Sequence, residues 1–171
     1  MNRFDVLSLC TVTGFGLALF SGTAFGQQKT LQDQIVGSWT YVSNETVAPD
    51  GKRTPTFGSN PTGLMIFGRD GRYMSLVLRT DIPKFAANSR AAGTAEENKA
   101  VVQGSNAHFG RYTINEGDHT LILNIDHSTY PNWNGVEQKR PVTITGDELK
   151  YVVPEPSAGG GHVEVVLRRT K

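Results

Sequence analysis

The stretch 119–146, HTLILNIDHSTYPNWNGVEQKRPVTITG, constrains the fold more than any other, because two runs of period-two alternation flank a cluster of turn formers. In the first arm Leu121, Leu123, Ile125 and His127 share one face, and Thr120, Ile122, Asn124 and Asp126 share the other. In the second, Gln138, Arg140, Val142 and Ile144 share a face, so an amide and a guanidinium continue a row that ends in two aliphatics. That pattern describes a buried surface with a polar mouth. Between the arms, Tyr130-Pro131-Asn132-Trp133-Asn134-Gly135 is too rich in turn formers for a strand. It also carries two large aromatics that are costly to leave in water, and is expected to cover something.

The first residues have a different character. Arg3 is followed by an apolar run over 6–20 and then by small residues at Ala24 and Gly26. This pattern predicts a secretory signal peptide over 1–26 and a domain over 27–171, periplasmic or secreted. Thr11, Thr13, Gly14 and Gly16 dilute the run and leave it short of a membrane span. Cys10, the single cysteine, lies inside the leader, so the exported domain is expected to use neither a disulfide nor a thiol nucleophile.

The remainder is punctuated by turns. A single helical turn at 31–36, with Leu31, Ile35 and Val36 placed to plug an opening, runs into a strand at 37–43 whose Trp39 and Tyr41 share a face. Residues 63–68 and 72–79, joined through Arg69-Asp70-Gly71, form the strongest hairpin signal. At 94–97, Thr-Ala-Glu-Glu is a capping box for a helix over about 94–103, which reads equally as a lid over a cavity or as a connector. Strands resume at 106–115 and end the chain at 148–153 and 162–169. Nineteen glycines and eight prolines, with 37% hydrophobic residues, suit short strands and many turns. About eight or nine strands in hairpin order predict a mainly β fold, an antiparallel sheet closed into a barrel. Closure sets Trp39 beside Arg168 or Arg169, where a guanidinium stacks on the indole and seals the base.

In this order, Ile35-Val36-Gly37-Ser38-Trp39, Phe57-Gly58 through Pro61-Thr62-Gly63, Gly93 to Lys99 with Gln103-Gly104, Phe109-Gly110-Arg111-Tyr112, and Pro131 to Gly135 with Gln138-Lys139-Arg140 resemble the bacterial lipocalin-like domain family. The resemblance covers nearly all of 27–171. It implies a lipocalin-like barrel and a small hydrophobic or amphipathic ligand, without implying an activity.

Formal charge is +1 and no run of like charge occurs, so nothing points to nucleic acid. His108, His119, His127 and His162 lack metal-ligand spacing, there is no nucleophile elbow, and Gly159-Gly160-Gly161 precedes a strand, so neither a metal nor a cofactor is expected. Candidate ligand-binding residues are His127, Arg140, Gln138, Tyr112, His108 and Trp133. His127 reads as a base or ligand donor at the cavity mouth, or as a solvated strand-end histidine. Arg140 reads as a carboxylate-binding group or as a structural ion-pair partner. His108 and Tyr112 share the face of Gly110, where a small residue leaves room for a ligand or lets a barrel corner bend. Three functions stay open: a carrier of a small hydrophobic or amphipathic molecule, an enzyme of isomerase, cyclase or hydrolase type acting inside the barrel, and an envelope protein with a filled barrel. Intact mass of protein recovered from the producing cell is expected to start within a residue or two of Gln27, without lipid; a chain retaining 1–26 contradicts export.

Overall fold

The computed structural model describes residues 29–171; the leader expected over 1–26 lies outside them. The chain runs α1 (Leu31–Ile35), β1 (Gly37–Val47), β2 (Arg53–Pro55), β3 (Thr62–Phe67), β4 (Arg72–Leu78), α2 (Ala95–Gly104), β5 (Ser105–Asn115), β6 (Thr120–Ser128), β7 (Glu137–Thr145), β8 (Glu148–Val153) and β9 (His162–Arg169). Strands β3 to β9 pair antiparallel in sequence order, and β1 closes the circle between β3 and β9. Eight strands thus form the expected closed barrel, with short β2 added beside the upper half of β1, from Glu45↔Pro55 to Val47↔Arg53. Closure leaves no long unpaired edge and makes the inward faces one continuous core.

The base of the barrel is filled and tied. Trp39 is 0% exposed, and its indole N–H donates to the Ile35 carbonyl at 2.7 Å. It lies opposite Arg169 in the β1–β9 register, and that guanidinium stands 4.2 Å from the indole ring centre. Arg169 also donates to the carbonyls of Val36 at 3.0 Å and Gln34 at 2.6 Å, capping a five-residue helix too short to hold itself. At the other end of α1, Thr30 accepts from the Asp33 N–H and the Glu116 carboxylate accepts from the Leu31 and Gln32 N–H groups. Every orphan donor met here is served by a side chain. Ile35, Met65, Phe67, Leu121, Leu123, Leu149 and Leu167 fill the floor above.

Helix α2 starts at the expected capping box: Thr94 accepts from the Glu97 N–H, and the Glu97 carboxylate accepts from the Thr94 N–H. Its end is pressed against Ile82 and Arg79 of the connection it completes, where a Cβ on Gly104 would collide with Ile82. Of the two readings of this helix the connector is the one realised, because no α2 residue lines the barrel interior. Among the described residues no helix is long and apolar enough to cross a membrane.

Two bulges change the phase of strands that the sequence pattern treats as uniform. Opposite β9, Tyr41 pairs with Leu167 and Ser43 with Val166, leaving Val42 as an extra residue; Trp39 and Tyr41 face inward below it and Asn44 above it. Opposite β5, Gly110 pairs with Ile125 and Phe109 with His127, so Asp126 is the extra residue. Gly110 is required there, since a Cβ would run into the Asn124 carbonyl oxygen. Trp39→Ala is expected to destabilise by about 3–5 kcal/mol in urea melts, as for a buried aromatic; a loss below about 1 kcal/mol contradicts a base held by the indole.

Candidate functional site

Filling the base with apolar side chains leaves the polar ones at the other end. The inward row of β7 puts Arg140 inside, 2% exposed, above Val142. Its guanidinium stands 5.1 Å from the Tyr151 ring centre, and its Nη2 donates to Gln138 Oε1 at 2.6 Å. Nε is buried without any partner. Among the described residues no carboxylate pairs with this cation, although eight ion pairs occur elsewhere, all with exposed or half-exposed partners. A guanidinium cannot shed its proton, so removing it from water without a counter-charge is costly. Cation–π contact and one amide offset only part of that cost.

The groups around it are uncharged. Tyr73 Oη lies 2.9 Å from His108 Nδ1. Burial, and then the Arg140 charge, push the His108 imidazole well below its ordinary value, so the ring is neutral near pH 7. Burial likewise pushes the Tyr73 and Tyr151 phenols above theirs, against an opposing pull from Arg140. The Tyr41 hydroxyl lies 2.8 Å from Ser75 Oγ and 3.3 Å from the Tyr151 hydroxyl. Asn44, brought inward by the bulge at Val42, leaves its Oδ1 buried without a partner.

These groups surround a cavity of about 60 Å³ lined by Tyr41, Asn44, Ser75, Val77, His108, Trp133, Arg140, Tyr151, Val153 and Val163, with Phe57 and Pro156, Ser157 and Ala158 on its outer side. Both orphaned atoms, one donor and one acceptor, belong to residues lining this one space. Buried polar groups in folded proteins are almost always satisfied, and here one donor and one acceptor are left for whatever fills this space, water included. As it stands it holds several water-sized groups, well below the 300 Å³ or so at which ligand pockets begin.

The six residues expected at the site are brought only partly together. Arg140, His108 and Trp133 line the cavity. Gln138 lies beside it as the acceptor for Arg140. His127 is corrected: it is exposed, on the outside of the barrel, with its ring 5.8 Å from that of Phe109. The bulge at Asp126 reverses the alternation that carries Leu121, Leu123 and Ile125 inward. Tyr112 faces inward as expected but sits near the base, its ring 4.8 Å from Phe67 and its hydroxyl donating to the Gly68 carbonyl. Tyr41, Tyr73, Ser75 and Tyr151 are site residues that the candidate set lacks. Alternation in 72–78 and 148–153 carries the signal for three of them, since Tyr73, Ser75 and Val77, and Tyr151 and Val153, fall on buried faces. For Asn44 no signal in the sequence reveals the bulge. The stretch between β6 and β7 does cover the interior: Trp133, on a short turn at Pro131–Trp133, packs edge-on against both His108 and Tyr130.

A closed antiparallel barrel with a plugged base and a polar cavity at the other end is the architecture of a lipocalin-like protein. Residues 36–169 match the family model described as a lipocalin-like domain, and the chain belongs to that family. It is similar to the 4'-hydroxy-3'-methoxypropiophenone carrier protein ppsC of Aspergillus oryzae, 31% identical over 86 residues that make up 47% of this chain and 78% of the relative.

The neutral His108 has a consequence for stability. In the unfolded chain its pKa returns to about 6.5, so below that pH the unfolded state takes up a proton that the folded state refuses. Stability is therefore complete above about pH 6.5 and falls as pH drops towards the depressed folded value. Asp81, Glu97 and Glu164, whose carboxyls are held below their ordinary values by hydrogen bonds, act only below about pH 4.5. Urea melts between pH 7 and 5 are expected to show the loss, and His108→Gln to flatten it; a wild-type profile level over that range contradicts a buried neutral histidine.

Proposed function

We propose that this protein is an exported carrier that takes a small hydrophobic or amphipathic molecule into the barrel, with an anionic or carbonyl head against Arg140 and an apolar body among the aromatic and aliphatic walls. The single observation that carries this reading is a guanidinium 2% exposed, beside a cavity, with no carboxylate partner among the described residues and an orphaned Nε. An acceptor oxygen there gives the cation the partner that no described carboxylate supplies. Tyr151, Ser75 and Tyr41 add hydroxyls that serve an oxygenated ring, while Trp133, Val77, Val153 and Val163 supply apolar contact. The relative named as a carrier of 4'-hydroxy-3'-methoxypropiophenone, an aryl ketone bearing a phenol, supports a ligand of this general kind. Export rests on the leader pattern at 1–26.

Native mass spectrometry of the purified protein is the first test, and a co-purifying small molecule is the expected result. Titration calorimetry with that aryl ketone and with an aryl carboxylate of the same size is the second. Arg140→Met is expected to weaken carboxylate binding by about 1.5–3 kcal/mol, tenfold or more, with the fold intact by circular dichroism. Equal affinity in wild type and variant, or no binding of either compound, contradicts the reading.

A further inference from the structure

The walls of the barrel are not equally closed. In β7, residues 137–141 pair with β6, from Asn124↔Glu137 to Thr120↔Pro141, and pairing with β8 covers only Val142↔Tyr151 to Thr145↔Glu148. Continued at the same register, the β7–β8 ladder would set Pro141 against Val152, Arg140 against Val153 and Lys139 against Pro154. Two prolines mark its end, Pro141 on β7 and Pro154 just past β8, opposite Lys139 in that register, neither with an N–H to give. The Val142 N–H points to the β6 side, where it donates to the His119 carbonyl at 2.8 Å. Backbone groups alternate along a strand, so the neighbouring nitrogen, that of Pro141, faces β8 and has no hydrogen to give. Val152 and Val153 remain strand, paired to Glu164 and Val163 of β9, so β8 itself is intact up to the point where β7 parts from it.

A cleft of about 520 Å³ lies at this seam, lined by Trp133, Val136, Gln138, Lys139, Val153 and Pro154, with Glu137, Glu155 and Asn132 at its rim. It shares Trp133 and Val153 with the interior cavity, which also holds Arg140. The half-buried Trp133 indole is therefore a common wall of a small space and a much larger one, each open to solvent on part of its surface. That side chain is carried on a short turn and packs edge-on against two rings. Gln138, the amide that holds the Arg140 guanidinium, stands on the cleft side of the same wall.

We infer that the opening between β7 and β8 is the entry to the binding site and its second subsite: the ligand's head reaches Arg140 past a displaced Trp133, and the rest of the molecule stays in the cleft. This rests on the carrier reading above. It resolves the mismatch of sizes, since about 60 Å³ accommodates a head group while the joined spaces accommodate a whole molecule. The ligand class it selects is an amphipath longer than the cavity, with an anionic or carbonyl head and a far end that tolerates water and the charges of Glu137, Lys139 and Glu155.

Stopped-flow binding of 1-anilinonaphthalene-8-sulfonate, an arylsulfonate whose fluorescence rises out of water, tests the route in the full exported domain. Pro141→Val restores the missing N–H, and amide hydrogen exchange at position 141 reports whether the ladder has extended. With the ladder extended, association and dissociation are both expected to slow about tenfold or more. Trp133→Ala, which removes the wall without touching the ladder, is expected to speed both by a similar factor. Probe binding that depends on Arg140 in the wild type, with rates unchanged in both variants, overturns lateral entry and leaves the carrier reading standing, with entry past Phe57 instead. Absence of Arg140-dependent binding in the wild type is the different failure, that of the carrier reading itself, and the lateral site falls with it.

Discussion

The structure depends on the closure of one sheet between β1 and β9, and that closure is held where Arg169 lies over Trp39. The guanidinium does three things from one position: it stacks on the indole, takes up two carbonyls at the end of α1, and sits at the last rung of the closing ladder. A short helix is thereby turned into a plug, and the plug makes one end of the barrel solid. Since the interior must still be packed, the remaining space is displaced to the opposite end, where Arg140, His108 and the tyrosines meet.

At that end electrostatics replaces packing as the deciding term. Arg140 is buried by its place in the β7 alternation, between Gln138 and Val142, and no carboxylate among the described residues offsets the cost of desolvating it. Burial holds its neighbours neutral, and the positive charge adds to this at His108 while opposing it at Tyr73 and Tyr151. In the proposed carrier, a fixed cation surrounded by hydroxyls and rings would meet an acceptor oxygen on an otherwise apolar molecule. Pro141, next in the chain, lacks a backbone donor where the β7–β8 ladder ends beside the same cation.

Much of the fold is legible from alternation and punctuation alone. Strand limits at 148–153 and 162–169, the capping box at Thr94 and the plug at Ile35 follow from local rules, while the arginine on Trp39 follows from closure, which leaves Arg168 and Arg169 as candidates until the register selects Arg169. The site is less legible because it depends on phase, which a single extra residue inverts. Val42 brings Asn44 in and Asp126 sends His127 out; the first bulge is set by pairing with the last strand of the chain, the second by the register of the β5–β6 hairpin. The one local trace is Gly110, whose missing Cβ admits the bulged backbone of β6. Arg140 is readable because no bulge separates it from the aliphatics below. The conspicuous Pro141 also has its meaning only in the sheet, where it falls on the β8 side.

Nitrogen-15 NMR of the arginine Nε–H groups tests the central claim most directly, because it observes the orphaned donor itself. With Arg140 assigned by the signal lost in Arg140→Lys, addition of an aryl carboxylate is expected to move the Arg140 Nε–H resonance and protect it from exchange with water, while Arg169, engaged at the base, stays unmoved. A ligand that binds while leaving Arg140 unchanged, or that perturbs only groups on the outer face around Phe109 and His127, contradicts a pocket organised around the buried guanidinium.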